Sequence, residues 1–348
     1  MTLETALQNP SRKPRCEPSG KDTFCAGSGA IYGALDLGSN NCRLLVARPE
    51  AKGFRVVDAF SRIVRLGEGV SETGRLSDAA MERTLSALTV CAKKLRRHGV
   101  SRFRGVATEA CRLAKNCDMF VTRAAEEAGV ELEIISSLEE VELALHSCTP
   151  LLESSATHAL LFDIGGCSTE LIWVSINGRK APKLADWVSL SCGVVSLAER
   201  HGGDHISEET YESMVSEAAT MVEPFVAALN VDAPLANGRL QLLGTSGTVT
   251  TIAALHQGLK RYDRTKVDGF FLHFDAIRHQ VNRLLEMDFE GRAAEPCIGT
   301  GRGDVVVAGC AILEAILRAC PAETVHVADR GLREGMLIGM MQADNLLV

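Results

Sequence analysis

The feature that most constrains the fold of this chain is a β-hairpin signature that occurs twice, at an interval of 127 residues. In the first copy, the turn-forming segment Gly38-Ser39-Asn40-Asn41 separates two apolar runs, residues 31–37 and 42–48. Turn residues between two runs of strand-forming residues predict an antiparallel hairpin. A sheet that starts with this hairpin is therefore expected in the first part of the chain.

The second copy has its predicted strands at residues 158–164 and 169–176, around the turn Gly165-Gly166-Cys167-Ser168. Asp163 corresponds here to Asp36 of the first copy, and in both places an apolar residue and a glycine follow the aspartate. Because the copies share position, length and turn chemistry, they predict a duplicated domain.

Strands and helices alternate behind each hairpin, a pattern typical of α/β domains. In the first half, Ser77 is expected to cap a helix that extends to His98. A second helix is expected at 114–128 and a strand at 131–135. In the second half, most of the predicted elements are helices.

The length of 348 residues fits two domains of about 150 residues each. Residues 150–157 have the character of a linker. We therefore expect a flexible leader at 1–30, a first α/β domain at 31–149 and a second at 150–348, with the last helix packing back on the first domain.

The composition argues against several classes of protein. Apolar residues make up 46% of the chain, and the formal net charge is −7. A sequence-independent nucleic-acid binder normally needs a basic surface, so this class is not expected. The chain has no run of 18 apolar residues, so no membrane span is expected. The twelve cysteines form no zinc-binding pattern and are expected to be reduced thiols of a cytoplasmic protein.

Asp36 and Asp163 are the first candidate functional residues. An aspartate that ends a buried strand before a glycine-rich turn offers a carboxylate to a hydrated metal ion, and the turn offers N–H groups to an anion. The structural alternative is a tight hairpin in which the aspartate makes an Asx-turn. Two copies that face each other across a cleft favour the functional interpretation, because together they would clamp a phosphate from both sides.

A third small-residue loop, Gly244-Thr245-Ser246-Gly247-Thr248, lies between a predicted strand and a predicted helix. Its N–H groups would lie at the helix N-terminus, a position that suits anions, and the alternative is an ordinary N-cap. The chain lacks the P-loop lysine and has no H-R-D, D-F-G or G-x-S-x-G string. P-loop, protein-kinase and serine-hydrolase chemistry therefore have no support.

Two glutamates near the second hairpin have two interpretations each. Glu140 follows the predicted N-cap residues Ser136 and Ser137, so it either completes a capping box or acts as a general base. Glu170 begins the return strand, either as a solvated edge residue or as a second metal ligand beside Asp163.

Arg112 is a candidate phosphate ligand. The segment 108–112 is expected to end the fourth strand and to point Arg112 toward the edge of the sheet that carries the first turn. A guanidinium group binds phosphate with two parallel hydrogen bonds, and the alternative is a surface ion pair.

Together these segments resemble the exopolyphosphatase and guanosine pentaphosphate phosphatase family, a member of the actin-like ATPase superfold. The resemblance extends from about Tyr32 to Met341. It is carried by Asp36-Leu37-Gly38-Ser39-Asn40, Arg65-Leu66-Gly67-Glu68-Gly69, and the segments 107–112, 163–171, 244–248, 304–309 and 330–335. It implies two similar actin-like (ribonuclease H-like) α/β domains with an active-site cleft between them.

The resemblance also implies roles for individual residues. Glu140 matches the catalytic carboxylate that orients or deprotonates the attacking water. Asp163 and Glu170 match the pair that holds a divalent cation, Mg²⁺ or alternatively Mn²⁺, and Asp36 is implied as a third residue at the metal. The implied phosphate contacts are Gly38, Ser39, Asn40, Arg112, Gly165, Gly166, Cys167, Ser168, Gly244, Thr245, Ser246 and Arg302.

The chain departs from the family pattern in three ways. Cys167 replaces the third glycine of the usual Asp-Ile-Gly-Gly-Gly-Ser turn, so a side chain is expected beside the phosphate. Ser137 replaces a common glycine before the catalytic glutamate. The chain also ends after the second domain, without the helical and HD-like domains of longer members.

The activity that the resemblance implies is removal of terminal orthophosphate from inorganic polyphosphate. The alternative within the family is hydrolysis of the 5′ γ-phosphate of guanosine pentaphosphate, because the motifs are common to both activities. A non-catalytic polyphosphate or nucleotide sensor and a sugar kinase of the same superfold are alternatives from other classes, and Glu140 argues against both. The resemblance also implies a homodimer.

Overall fold

The computed structural model describes residues 29–51, 53–178, 180–202 and 206–347. The first 28 residues of the predicted leader lie outside the described residues, as do Cys16 and Cys25. The strands are β1 (Tyr32–Leu37), β2 (Asn41–Pro49), β3 (Phe54–Ile63), β4 (Arg102–Ala107), β5 (Glu133–Ile134), β6 (His158–Ile164), β7 (Thr169–Ser175), β8 (Lys183–Leu190), β9 (Leu240–Thr245), β10 (Phe271–His273) and β11 (Thr324–Ala328).

The α-helices of the first half are α1 (Val70–Thr73), α2 (Asp78–Arg97), α3 (Glu109–Leu113), α4 (Cys117–Arg123) and α5 (Ser137–Cys148). Those of the second half are α6 (Val194–His201), α7 (Glu208–Ala228), α8 (Asp232–Ala236), α9 (Gly247–His256), α10 (Arg264–Val267), α11 (Phe274–Leu285), α12 (Phe289–Ala294), α13 (Val306–Ala319) and α14 (Leu332–Ala343). A π-helical turn, Ala124–Ala128, continues α4, and a 3₁₀ turn, Thr149–Leu151, follows α5.

Two mixed sheets with the same strand order organise the chain. The first sheet has the order β3-β2-β1-β4-β5, in which β1, β2 and β3 are antiparallel neighbours and β4 and β5 are parallel to β1. The second sheet repeats this order as β8-β7-β6-β9-β11, and β10 adds an antiparallel strand beside β11. This repetition confirms the predicted duplication, and the protein has the two-domain actin-like α/β fold.

Local signals in the sequence explain where the long helices begin and end. Ser77 caps α2 by accepting a hydrogen bond from the N–H of Ala80, and Gly99 follows the helix with φ of 60°. Ser207 caps α7 in the same way, by accepting from Thr210. These helices bury their apolar faces in separate cores, one under each sheet, because neither face could remain in water without a large free-energy cost.

The last helix, α14, packs against the first sheet although the strand before it belongs to the second. Its side chains Leu332, Met336 and Met341 share a core with Tyr32 and Leu45. The Tyr32 hydroxyl donates a hydrogen bond of 2.6 Å to Asp344, just beyond the helix. The end of the chain therefore ties the two halves together.

Helices α14 and α5 approach each other closely at Gly335. A Cβ atom at this position would lie 2.3 Å from the backbone oxygen of Leu143, so a larger residue could not be accommodated without a shift. This contact helps to fix α5, which carries Glu140, against both sheets.

Three expectations for the first half were wrong in detail. The segment 108–112 does not end a strand, because β4 ends at Ala107 and α3 begins at Glu109. The helix expected at 114–128 begins three residues later, at Cys117, because Asn116 is held outside it: its side chain accepts from the Leu76 N–H at 2.8 Å and donates to the Leu76 oxygen at 2.9 Å. The strand expected at 131–135 is reduced to Glu133–Ile134.

Within the described part of the chain, no helix is both long enough and apolar enough to cross a bilayer. The ten cysteines located there are all free and buried.

Candidate active site

Each hairpin places its aspartate opposite a charged residue of the return strand. Asp36 pairs with Arg43 in the register of β1 and β2, and Asp163 pairs with Glu170 in the register of β6 and β7. The duplication is therefore symmetric in backbone but not in charge. The second hairpin carries two carboxylates, whereas the first carries a carboxylate and a guanidinium group.

The two hairpin turns touch each other. The Gly165 N–H donates to the Ser168 oxygen at 2.9 Å, and the equivalent bond closes the first turn, 38–41. A Cβ atom on Gly166 would lie 3.0 Å from the backbone nitrogen of Asn40, so glycine is needed at this contact. The two turns are therefore in direct contact, and a phosphate site between the two hairpins stays a prediction. Its place would be the cavity beside the contact.

A cavity of about 130 Å³ lies beside the turns and is lined by residues from both halves of the chain. Eleven of the predicted site residues line it: Asp36, Gly38, Ser39, Asn40, Glu140, Asp163, Gly165, Gly166, Ser168, Ser246 and Arg302. The structure thus brings together residues that are as far apart in the sequence as Asp36 and Arg302.

Five predicted residues do not line the cavity: Arg112, Cys167, Glu170, Gly244 and Thr245. Gly244 packs inside the second domain, where a Cβ atom would lie 2.6 Å from the Phe162 ring. The Thr245 hydroxyl donates to the backbone oxygen of Arg330. These two residues hold the loop before α9 in place.

Burial raises the pKa values of four carboxyl groups at the cavity. It raises the pKa of Glu140 to about 8, with the Glu170 charge raising it further and Arg112 opposing the shift. Burial, then the charge of Glu140, raises the pKa of Asp163 to about 7. Burial, then the charge of Asp163, raises the pKa of Glu170 to about 7. The pKa of Asp36 is also raised by burial, although Arg43 opposes the rise.

The part of the cavity lining at the start of α9 is suited to anions. Helix α9 starts at Gly247, after Ser246, whose φ of 149° is a strained value for a residue with a side chain. A Cβ atom on Gly247 would lie 3.7 Å from Arg302 Nη1 and 3.8 Å from Arg43 Nη2. Two guanidinium groups therefore flank a helix N-terminus, where the backbone N–H groups and the helix dipole also favour negative charge.

Arg302 is held in position by its surroundings. It donates to the oxygens of Cys297 at 2.7 Å, Thr251 at 3.1 Å and Ile298 at 3.2 Å. Burial, and then the nearby Arg43, lower its pKa. An anion bound between the two guanidinium groups would relieve their mutual repulsion.

The donor set of the cavity fits a hard divalent cation. Asp36, Glu140 and Asp163 contribute carboxylate oxygens to its lining. The described residues contain no group of three or more Asp, Glu, His or Cys side chains that could hold a metal ion by themselves. Mg²⁺ commonly takes only one or two carboxylates and completes its shell with waters and substrate phosphates.

Comparison with known proteins agrees with this chemistry. The model of the Ppx/GppA phosphatase family matches residues 45–344, most of the chain. The chain belongs to the Ppx/GppA phosphatase family. It is 29% identical to the crystal structure of the Aquifex aeolicus family member, with a TM-score of 0.74 over 91% of this chain and 99% of that one.

Two further solved structures resemble this family member. An exopolyphosphatase-like protein is 29% identical, with a TM-score of 0.80 over 92% of this chain and all of that one. An exopolyphosphatase from Cytophaga hutchinsonii has the same TM-score at 23% identity, over 91% of this chain and all of that one, and this likeness concerns the fold.

In this phosphatase, Glu140 is not part of the cap of its helix. Ser136 is the N-cap of α5 and accepts from the N–H of Glu139, which makes Glu139 the third helical residue. The side chain of Glu139 forms an ion pair with Arg104. Glu140 is one position further along, 9% exposed, and lines the cavity. The capping-box interpretation of Glu140 is therefore wrong.

Arg112 lies behind Glu140 rather than in the cavity. Its Nη1 atom is 2.8 Å from Glu140 Oε2, an ion pair without the alignment of a hydrogen bond. The guanidinium group also donates from Nε to Glu109 at 2.8 Å and from Nη1 to the oxygen of Ile135 at 3.0 Å. The structure thus places Arg112 where it orients Glu140.

Cys167 also faces away from the cavity. Its thiol lies 4.0 Å from the oxygen of Gly67, and a Cβ atom on Gly67 would lie 2.6 Å from the sulfur. The side chain that replaces the family glycine therefore fills the contact between the two halves of the chain, instead of crowding a phosphate.

The sequence interpretation missed several residues of the cavity, of which Arg43 is the most informative. Arg43 follows Asp36 by the same interval at which Glu170 follows Asp163. The repeat itself was thus the signal that could have found it. Thr108, Gly247 and Thr248 also line the cavity.

Proposed function

We propose that this protein is an exopolyphosphatase, which hydrolyses the terminal phosphoanhydride bond of inorganic polyphosphate in the presence of Mg²⁺ or Mn²⁺. The observation that carries the proposal is one cavity whose lining combines buried carboxylates with two guanidinium groups at a helix N-terminus. A polyanion and the water that attacks it need these two environments side by side.

Glu140 is the proposed general base. A base is most effective when its pKa lies near the working pH, and burial raises the pKa of Glu140 to about 8. In its ionised form Glu140 accepts a proton from the attacking water at its carboxylate, and Arg112 holds the side chain in place at 2.8 Å. The proton would therefore leave the water as the new P–O bond forms and the bond from the terminal phosphorus to the bridging oxygen breaks, with its electron pair leaving on that oxygen of the shortened chain.

The phosphate chain is bound by the part of the cavity lining at the start of α9. Arg43 and Arg302, with the N–H groups at the start of α9, bind the oxygens of the terminal phosphates. The Ser39–Asn40 and Gly165–Gly166 turns contribute further N–H groups. Fixing the chain end in this way positions the terminal phosphorus for attack from the side of Glu140.

The divalent cation would be held by Asp163, with Asp36 and Glu170 beside it. When bound, it neutralises negative charge on the phosphoryl oxygens. Glu170 is 3% exposed and accepts a hydrogen bond from Ser189 at 2.8 Å, so it supports the carboxylates of Asp163 and Asp36 from behind the cavity.

Polyphosphate is preferred over guanosine pentaphosphate in this proposal because of the shape and chemistry of the cavity. Its volume is about 130 Å³, and none of the described residues that line it is aromatic. A nucleobase stacks on aromatic rings or guanidinium planes, and in this proposal both guanidinium groups of the cavity bind phosphate oxygens instead. Release of phosphate from guanosine pentaphosphate is the alternative that the assay below separates.

The test is phosphate release from polyphosphates of graded length and from guanosine pentaphosphate, each with and without Mg²⁺. We expect faster release from polyphosphate, and no release without a divalent cation. A clear preference for guanosine pentaphosphate would overturn the choice of substrate. Binding of either compound without any release would instead support a sensor, and phosphate transfer to an added alcohol would support a kinase.

A further inference from the structure

One loop of the first domain, residues 64–69, contacts both the first hairpin turn and the second domain. Three backbone hydrogen bonds attach it to the turn: Val64 and Arg65 donate to the Asn40 oxygen at 2.9 and 3.1 Å, and Gly67 donates to the Ser39 oxygen at 2.8 Å. Any displacement of the loop would therefore displace a wall of the cavity.

The same loop is attached to the second domain by two charged side chains. Arg65 Nη2 lies 2.7 Å from Asp304 Oδ2. At the other end of the loop, the Gly69 N–H donates to Glu199 at 3.0 Å. The Cys167 thiol packs against Gly67 between these two points.

The backbone of the loop is strained at Arg65. Its φ of 48° lies in the left-handed region, which is unfavourable for a residue with a side chain. Such a conformation persists when the surroundings fix it. Arg83 contributes to this by donating to the oxygens of Val64 at 3.0 Å and Arg65 at 3.4 Å.

Asp304 lies two residues after Arg302, in the segment 302–305 (the Arg302 segment). Arg302 and Val305, on either side of Asp304, both line the active-site cavity. The Arg65–Asp304 ion pair thus connects the Asn40 turn with the Arg302 segment across the boundary between the domains.

We propose that Arg65 and Asp304 are positioning residues. Their ion pair sets the distance between the Asn40 turn and the Arg302 segment, and binding of the phosphate chain requires this distance. This inference rests on the proposed function. Neither side chain lines the active-site cavity, so both act through the residues that do. Because the pair is about one-third exposed, its own contribution to folding is small, and its effect is on the geometry of the cavity.

The test is a charge-exchange cycle with Arg65→Asp, Asp304→Arg and the double variant. Each single variant places like charges opposite each other, and small displacements in an active site are costly, so we expect kcat/KM to fall between about 10- and 100-fold. The double variant restores the opposite charges and should recover to within about threefold of the wild type, as coupled residues do. Asp304→Asn, which only removes the charge, is a milder variant in case the reversals fold poorly.

A matched control is the Arg55→Asp variant. Arg55 forms an ion pair of 2.8 Å with Glu50 within the first domain, and both side chains are more than half exposed. Reversing the charge of Arg55 should leave kcat/KM unchanged. This control separates the effect of the contact between the domains from the effect of an altered surface charge.

A second readout does not depend on the substrate. The Cys167 thiol is 8% exposed beneath the loop, whereas Cys192, at 1%, lies in the core of the second domain. We expect Arg65→Asp and Asp304→Asn to increase the rate of Cys167 alkylation by iodoacetamide, measured by mass spectrometry, with Cys192 unchanged. The double charge exchange should return the Cys167 rate to that of the wild type.

The outcomes separate this inference from the proposed function. A wild-type protein that releases no phosphate contradicts the proposed function, and the alkylation rates still decide whether the pair holds the contact. An active wild type whose single variants alter neither kcat/KM nor Cys167 alkylation overturns the positioning role. So does a double variant that fails to recover while it remains folded.

Discussion

Arg112 Nη1 lies 2.8 Å from Glu140 Oε2, and this ion pair connects α3 of the first domain with the carboxylate at the cavity. Burial raises the pKa of Glu140 to about 8, and the positive charge of Arg112 opposes this rise. The ionised form of a buried carboxyl group is thus stabilised by a guanidinium group that does not itself reach the cavity.

The first prediction concerns the pH dependence of Arg112 variants. Arg112→Gln removes the charge that opposes the rise, so the pKa of Glu140 should increase further and less of the base will be ionised at a given pH. We expect the acidic limb of the pH–rate profile to move to higher pH, with activity partly recovered in alkaline buffer. Arg112→Lys keeps the charge and should move the limb less. An equal loss for both variants at every pH would contradict this role.

The second prediction concerns the stability of the protein without metal ions. Burial raises the pKa of Asp163 to about 7 in the folded protein, well above its ordinary value. A carboxyl group whose pKa is raised on folding stabilises the protein fully below its unfolded pKa, and this contribution is lost as the pH rises through the folded value. The wild type should therefore unfold at a lower temperature at pH 8 than at pH 5.

The Asp163→Asn variant is the control for this effect, because asparagine does not titrate. It should unfold at a higher temperature than the wild type at pH 8, and the difference should shrink at pH 5. Thermal unfolding in metal-free buffer measures both, and a variant that is less stable than the wild type at pH 8 would argue against the raised pKa.

The third prediction links the metal ion to protons. Binding of Mg²⁺ favours ionised carboxylates, and at neutral pH the raised pKa values keep part of Asp163 and Glu170 protonated. A fixed concentration of Mg²⁺ should therefore raise the unfolding temperature more at pH 8 than at pH 6. Asp163→Asn should reduce this difference between pH 8 and pH 6. A rise in unfolding temperature that is the same at both pH values would contradict the prediction.

How far the sequence predicts this structure is seen in the two hairpins. Their strand bounds were predicted to within one residue in the second copy, since alternating apolar runs and glycine turns are local signals. The predicted duplication is seen in the strand order, which is the same in the two sheets apart from the added β10. The start of the helix predicted at 114–128 was placed three residues too early, because the hydrogen bonds that hold Asn116 join it to Leu76, 40 positions away in the sequence.

Prediction of the candidate site was limited in the same way, by contacts between segments that are distant in the sequence. The hairpin pattern predicted that Asp36 and Asp163 would face one cleft, and the family resemblance implied that Glu140 lies in the same site; all three line the cavity. The orientations of Arg112 and Cys167 depend on packing between segments distant in the sequence, so the pattern could not show that one supports Glu140 and the other contacts Gly67.

The fourth prediction concerns Arg43, which approaches the start of α9 at Gly247. If it binds phosphate oxygens, Arg43→Gln should raise KM for polyphosphate by about tenfold, the effect of one lost charge-assisted hydrogen bond. Arg55→Gln, at an exposed position away from the cavity, should leave KM unchanged. Steady-state kinetics at fixed Mg²⁺ and ionic strength measure both, and equal KM values would remove Arg43 from the phosphate site.

The most direct test of the central claim is the turnover of Glu140→Gln. Glutamine keeps the size of the side chain but cannot accept the proton, and a positioned base contributes between about 10²- and 10⁴-fold, so kcat should fall by this factor. Substrate binding should hold or tighten, because a negative charge beside a polyanion is removed. Glu139→Gln is the matched control, since Glu139 pairs with Arg104 and does not line the cavity, and it should retain normal turnover. The account predicts a large loss for Glu140→Gln alone, whereas a Glu140→Gln variant with more than about one-tenth of the wild-type kcat would contradict it.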